Sequence, residues 1–146
     1  MPSFFRFLLL LLATAGAALA AGTKVATDQP IVNFRIPDFT PEGNRAWLVR
    51  GSEARYISDN QVDVKSLNLS IFTGLPDGKV ETLILSPTAV LQPAESVVTG
   101  QDTIRVINDE FEATGTDWRY IHKEKRVSIA KNVRVTFHAE LKDFLK

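Results

Sequence analysis

Apolar and polar residues alternate with a period of two in five separate stretches of the chain. Leu67, Leu69 and Ile71 alternate with Ser66, Asn68 and Ser70; Ile104 and Val106 with Thr103 and Arg105; Trp118 and Tyr120 with Asp117 and Arg119. Val127 and Ile129 are set off by Arg126 and Ser128, and Val133, Val135 and Phe137 by Arg134 and Thr136. Successive side chains of a strand point to opposite faces, so the pattern predicts half-buried strands of antiparallel sheets, apolar on one face and wet on the other. The many Val, Ile and Thr side chains lose rotamer freedom in helices and suit a pleated surface. The punctuation agrees. In Leu75-Pro76-Asp77-Gly78, Pro presets φ and Gly accepts a left-handed conformation; Pro41-Glu42-Gly43-Asn44 and Ser58-Asp59-Asn60 are weaker turn signals. Val62 and Val64 have the opposite parity to Leu67 and Leu69, which predicts a bulge or bend near Lys65-Ser66. One stretch, His138–Lys146, has helical spacing, with Leu141, Phe144 and Leu145 at i, i+3 and i+4, and predicts a short tail helix. The fold class is all-β.

A loose internal repeat accompanies the alternation. Ser86, Gly100, Gly115 and Lys131 each precede a short strand, at spacings of 14, 15 and 16 residues. Val98-Thr99-Gly100-Gln101-Asp102-Thr103-Ile104 can be laid over Ala113-Thr114-Gly115-Thr116-Asp117-Trp118, with Val49-Arg50-Gly51-Ser52-Glu53-Ala54 as an earlier member. Such a unit is two short strands and two turns, with glycine allowing the corner where a strand changes sheet. Any short-stranded sandwich has turn signals at similar intervals, so the repeat by itself does not choose between stacked rungs and an ordinary sandwich.

The first twenty-one residues carry a different signal. Arg6 and the free amino end precede an apolar run from Phe7, followed by Ala18-Leu19-Ala20-Ala21. That run is shorter than the roughly 20 apolar residues of a bilayer-spanning helix, and its small residues suit a signal peptidase cutting after Ala20. An uncleaved N-terminal membrane anchor, lengthened by Phe4 and Phe5, is the competing reading. Both predict export. The chain then divides into residues 1–20 as signal or anchor, 21–45 as an extended segment, 46–138 as the β domain and 139–146 as the tail.

Composition narrows the chemistry. The 146 residues hold 17 Lys+Arg, 17 Asp+Glu, two His and no Cys. The charge balance removes the case for nucleic acid as a partner, and the missing cysteines exclude disulfides, zinc ribbons and thiol nucleophiles. His122 and His138 lie 16 residues apart, outside any metal-ligand spacing, so no metal or cofactor is expected. No G-x-S-x-G elbow occurs, and the carboxylates Asp109, Glu110 and Glu112 read as a solvated turn, so no catalytic residue is assigned. The stretch from Asp117 to His138 is basic. Arg119, Lys123, Lys125 and Arg126 are candidate ligands for the phosphate of a lipid headgroup, with a solvated hairpin turn as the plain alternative.

Val97-Val98-Thr99-Gly100 through Val133-Arg134-Val135-Thr136-Phe137 resembles the periplasmic OstA-like β-jellyroll proteins of the lipopolysaccharide export bridge. The run Phe111-Glu112-Ala113-Thr114-Gly115-Thr116-Asp117-Trp118-Arg119-Tyr120, its Lys-rich turn and the Val133-x-Val135 strand are most similar to the C component, the LptC family; Arg50-Gly51-x-x-Ala54 also fits its repeat. The likeness spans roughly Ala46–Phe137. It implies a taco-shaped antiparallel β-jellyroll of the LptA and LptC type whose groove holds lipid acyl chains. The implied partners are lipopolysaccharide, an inner-membrane ABC transporter complex and another OstA-like jellyroll joined by strand edges, in the periplasm. The family's C component keeps a membrane helix, whereas Ala18-Leu19-Ala20 here offers a cleavage site.

On that reading the inward, lipid-facing candidates are Leu67, Leu69, Ile71, Leu83, Leu85, Ile104, Val106, Trp118, Tyr120, Val127, Ile129, Val133, Val135 and Phe137. Ordinary sandwich core demands the same alternation, so sequence does not separate the two roles. Val133–Phe137 is the expected outgoing edge, and a strand near Ile31–Ile36 is the expected transporter-facing edge. A second functional class is an exported β-sandwich that binds polysaccharide, with Trp47, Trp118 and Tyr120 as exposed stacking platforms. A third is a purely structural envelope module.

Overall fold

The computed structural model describes residues 29–138. The expected signal or anchor segment, the first part of the extended segment and the expected tail helix lie outside the described residues. Eight strands follow in chain order: β1 (Ile31–Phe39), β2 (Arg45–Ser58), β3 (Gln61–Phe72), β4 (Val80–Gln92), β5 (Val97–Gly100), β6 (Ile104–Asn108), β7 (Phe111–Ile121) and β8 (Arg126–Phe137). A single 3-10 turn, His122–Glu124, joins β7 to β8. All pairings are antiparallel, as the alternation predicts.

The strands form one sheet. β1, β2, β3 and β4 are paired in sequence; β4 then pairs with β5 through Val90–Gln92 and with β6 through Thr82–Leu85. The short β5 and β6 hand on to opposite ends of β7, and β8 pairs with the whole of β7. Turn chemistry sets the hairpins. Gly78, at φ 63°, closes the Leu75–Gly78 turn by donating its N–H to Leu75 at 3.2 Å. Asp77 accepts from Thr73 Oγ1 and Lys79 N, two bonds that hold its carboxyl below the usual carboxylate range. Gly43, at φ 86°, makes the β1–β2 turn.

The sheet is creased. Partway along β3, Ser66 has φ 53° and drops out of both ladders, between Lys65↔Thr88 and Leu67↔Ser86. Across the crease the inward set changes parity. In β3 it passes from Val62 and Val64 to Leu67 and Leu69, and in β4 from Ile84 and Ser86 to Ala89 and Leu91. In β7 it passes from Ala113 and Gly115 to Trp118 and Tyr120. Pro87 interrupts β4, the gap at Gln101–Thr103 separates β5 from β6, and Asn33, Asp117 and Asn132 bring β1, β7 and β8 into the left-handed region. The bend expected near Lys65-Ser66 is therefore one point on a line crossing every long strand. The repeat Ser86, Gly100, Gly115, Lys131 falls on the same line.

Contacts at the crease explain the residue types. Ser86 is buried, and its single hydroxyl proton is shared between the carbonyls of Thr88 and Thr103, 2.9 and 2.8 Å away, tying β4 to the start of β6. A Cβ on Gly115 would meet Ile129 Cγ2 and come within 2.8 Å of the Lys131 carbonyl oxygen. One on Gly100 would lie 2.5 Å from Trp118 Nε1. Creasing brings β2 and β7, which are not ladder neighbours, face to face: the Trp47 and Tyr120 rings stand 6.3 Å apart between centroids. One core cluster fills the fold, with Val49, Leu69, Ile84, Val98 and Ile104 fully shielded from water.

Gly115→Ala is expected to destabilise the domain by about 2 kcal/mol, the order of an overpacked core site, because backbone as well as Ile129 must yield. Urea denaturation checks this; an unchanged midpoint would mean that β7 and β8 do not approach as closely as described.

Candidate functional site

A cavity of about 450 Å³ opens between the two halves of the sheet. One wall is the end of β3 and β4 with β6 (Ile71, Glu81, Thr82, Val106 and Asn108); the other is β7 and β8 (Phe111, Ala113, Tyr120, Val127, Ile129, Val133 and Val135). Lys125 stands at the mouth, its ammonium 3.5 Å from Glu81, so a solvent-exposed ion pair spans the two halves. Alternation along β8 places Val127, Ile129, Val133 and Val135 on the cavity side. Val133 and Val135 nonetheless remain 52% and 44% exposed, because nothing in the described chain packs over this margin.

At one end the cavity meets a polar aromatic cluster. His122 stacks on Trp47 at 4.6 Å between centroids, 16° from parallel, and its Nδ1 lies 2.9 Å from the Tyr120 hydroxyl. Burial raises the Tyr120 pKa above the ordinary phenol value, with the Glu81 charge adding to it. Burial also lowers that of His122, opposed by the Asp38 charge and aided by Lys125. Burial thus favours the neutral imidazole, whose tautomer sets which of Nδ1 and the Tyr120 hydroxyl donates in the bond between them.

The sequence-predicted residues separate into four groups. Ile71, Val106, Tyr120, Val127, Ile129, Val133 and Val135 line the cavity. Leu67, Leu69, Ile104 and Trp118 are buried deeper in the common core. Phe137, 60% exposed, continues the β8 margin and meets Phe111 edge-on at 6.4 Å. Leu83 and Leu85 face the other way: Ile84 between them is the core residue, so its two neighbours point to the convex face. The run Leu83-Ile84-Leu85 has no polar member to mark its parity, so the inward assignment of the two leucines is corrected. Glu81, Thr82, Asn108, Phe111 and Ala113 also line the cavity and were not read from sequence; their mixed chemistry carries no periodic signal.

The four basic candidates do not converge. Lys125 lines the cavity mouth. Arg126 lies 3.9 Å from Glu124, Lys123 is exposed on the 3-10 turn, and Arg119 borders a separate depression of about 470 Å³ with Trp118, Ser128 and Ile129. The stacking platforms expected of a polysaccharide module are also missing from the surface, because Trp47, Trp118 and Tyr120 are all buried. Among the described residues no group of three or more His, Cys, Asp or Glu could hold a metal ion.

An antiparallel sheet creased over an apolar trough, with two margins unjoined among the described residues, is the architecture of a β-jellyroll. The family described as lipopolysaccharide-assembly, LptC-related matches the chain over residues 17–138, and the protein belongs to that family. No curated protein matches the chain. Membership makes it a non-enzymatic component of lipopolysaccharide transport in the cell envelope.

The lowered His122 pKa predicts a pH dependence. The folded state binds fewer protons than the unfolded chain below about pH 6.5, so stability falls as pH drops through that value toward the folded pKa. His122→Asn is expected to flatten this part of a plot of urea midpoint against pH. An identical slope in the variant would show that the imidazole is not held neutral.

Proposed function

We propose that the protein carries lipopolysaccharide by sheltering its acyl chains in the trough between the sheet halves, and that it docks to neighbours through its sheet margins. The observation that carries this reading is the valine row of β8: side chains turned into an apolar cavity yet left partly uncovered. Each methylene transferred from water to such a surface gains on the order of 0.8 kcal/mol, so a carrier needs burial rather than a catalytic group. Lys125 at the mouth supplies a cation for a headgroup phosphate, and Glu81 is the anion that such a phosphate would replace. Residues 1–20 act as signal or anchor, holding or releasing the domain on the periplasmic side of the inner membrane.

Margins give the docking. Among the described residues β1 pairs with β2 and β8 with β7, and no described strand lies on the other side of either, where another chain could add. The direction of those groups on β8 follows from one bond. His138 donates its N–H to Glu110 at 2.8 Å, toward β7. In an antiparallel ladder the N–H and C=O of one residue point to the same side and the side alternates, so Thr136 also faces β7 while the backbone of Val135 faces outward. The reading assigns β8 to the next jellyroll in the bridge and β1 to the ABC transporter.

A photo-crosslinking residue in place of Val135 or Val106 is expected to capture lipopolysaccharide in cells, and one at outward Arg105 or Arg134 is not. Capture from the outward positions alone would overturn the trough. Val135→Pro removes an outward donor while leaving the bonds to β7 in place. It is therefore expected to keep the urea midpoint within about 1 kcal/mol of the parent while reducing recovery of the neighbouring jellyroll at least tenfold. Full recovery by the folded variant would reject β8 as the outgoing margin.

A further inference from the structure

The convex face of the β1–β2 hairpin carries a feature that the trough does not use. Phe34 and Ile36 of β1 and Trp47 and Val49 of β2 pack inward, so Arg35, Pro37, Leu48 and Arg50 point outward. Arg35 and Arg50 are direct cross-strand partners. Like charges so opposed are destabilising, and neither guanidinium has a carboxylate within 4 Å among the described residues. A short way along β2 the pattern is the opposite: Glu53 pairs with Lys65 at 3.2 Å and with Arg55 at 3.8 Å. The Arg35–Arg50 rung is thus missing a counter-ion, while its neighbours on the same surface are matched.

The two guanidiniums border a depression of about 300 Å³ with a third, Arg45, and an apolar floor of Pro37, Leu48 and Phe72. Phe72 is buried yet lies outside the core cluster, and Arg45 covers its ring at 5.6 Å. Phe39, 55% exposed, stands at the rim. Asp38 is the one acid of the lining; it sits opposite Trp47 and forms no ion pair within 4 Å with any of the three arginines.

We propose that this face binds the phosphate headgroups of an anionic phospholipid surface, as a docking site separate from the trough. Paired guanidiniums match phosphate oxygens, and the floor with Phe39 suits an amphiphile where a free ion would need no apolar contact. Location agrees. Nine residues separate Ala21, the end of the apolar N-terminal run, from Ile31, a span of at most about 35 Å when extended. The hairpin is therefore in reach of any bilayer that the run enters.

The test mixes the full chain with nanodiscs of phosphatidylcholine, with and without phosphatidylglycerol, each carrying a gadolinium-headgroup lipid, and reads amide line broadening. Broadening at Arg35–Phe39 and Leu48–Arg50 is expected only with phosphatidylglycerol. The docked-to-undocked ratio should fall about fivefold for each arginine replaced in Arg35→Gln and Arg50→Gln. Arg119→Gln with Lys123→Gln, which removes the same charge elsewhere, should leave it unchanged. Broadening without the anionic lipid, or retained in the arginine variants, would overturn the proposal, as would equal loss in the control pair. In that event an acidic protein surface becomes the occupant to seek. Crosslinking of lipopolysaccharide at Val135 is independent of every one of these outcomes.

Discussion

The crease is the constraint on which the rest of the molecule depends. A flat eight-stranded sheet of this length would expose one whole apolar face. Bending it along the line through Ser66, Pro87, Gly115 and Asn132 turns that face on itself. Few residues tolerate the bend. Non-glycine residues in the left-handed region carry a steric cost, and the short polar side chains of Asn, Asp and Ser recover part of it locally. Here Asn132 donates to Thr116 at 3.2 Å, and Ser52, beside the crease in β2, donates to the Lys65 carbonyl at 3.3 Å. Glycines lie beside these positions where two strands approach too closely for a Cβ.

Folding over does not finish the burial. The halves meet firmly where Trp47, Tyr120 and His122 interlock, and around Leu69, Ile84 and Ile104. Toward the end of β8 they diverge, because among the described residues β8 has a ladder neighbour on one side and nothing packed tightly over Val133 and Val135. The trough and the β8 margin are therefore one feature seen from two directions. A strand that closed the sheet would abolish both. On the function proposed above that openness has a use, since a carrier must take up and surrender its cargo.

Much of this was legible in the sequence because period-two alternation is a direct imprint of one buried face. Ile104, Val106, Trp118, Tyr120, Val127 and Ile129 all lie inward as their spacing predicts. The crease was legible too, through the changed parity at Val64 and Leu67 and through the glycine-marked repeat. Legibility failed where the chain is apolar on both faces, as at Leu83-Ile84-Leu85, and where position depends on a distant element. Glu81 reaches the cavity mouth only because the turn bearing Lys125 comes over it, and four basic residues close in sequence scatter because a 3-10 turn and a strand point them apart. Depth was equally hidden, since Leu69 and Val135 read alike and only the packed structure shows one sealed and the other bare.

The two margins of the sheet are chemically unlike. β1 carries the acid Asp38 and is interrupted by Pro37, whereas β8 has no acidic residue and sets Arg126, Lys131 and Arg134 among its apolar positions. A body with dissimilar ends has a head and a tail, so copies or cousins strung together by their borders all point one way. The sense of travel along such a string would then be written in the order of assembly, before any energy is spent on moving cargo.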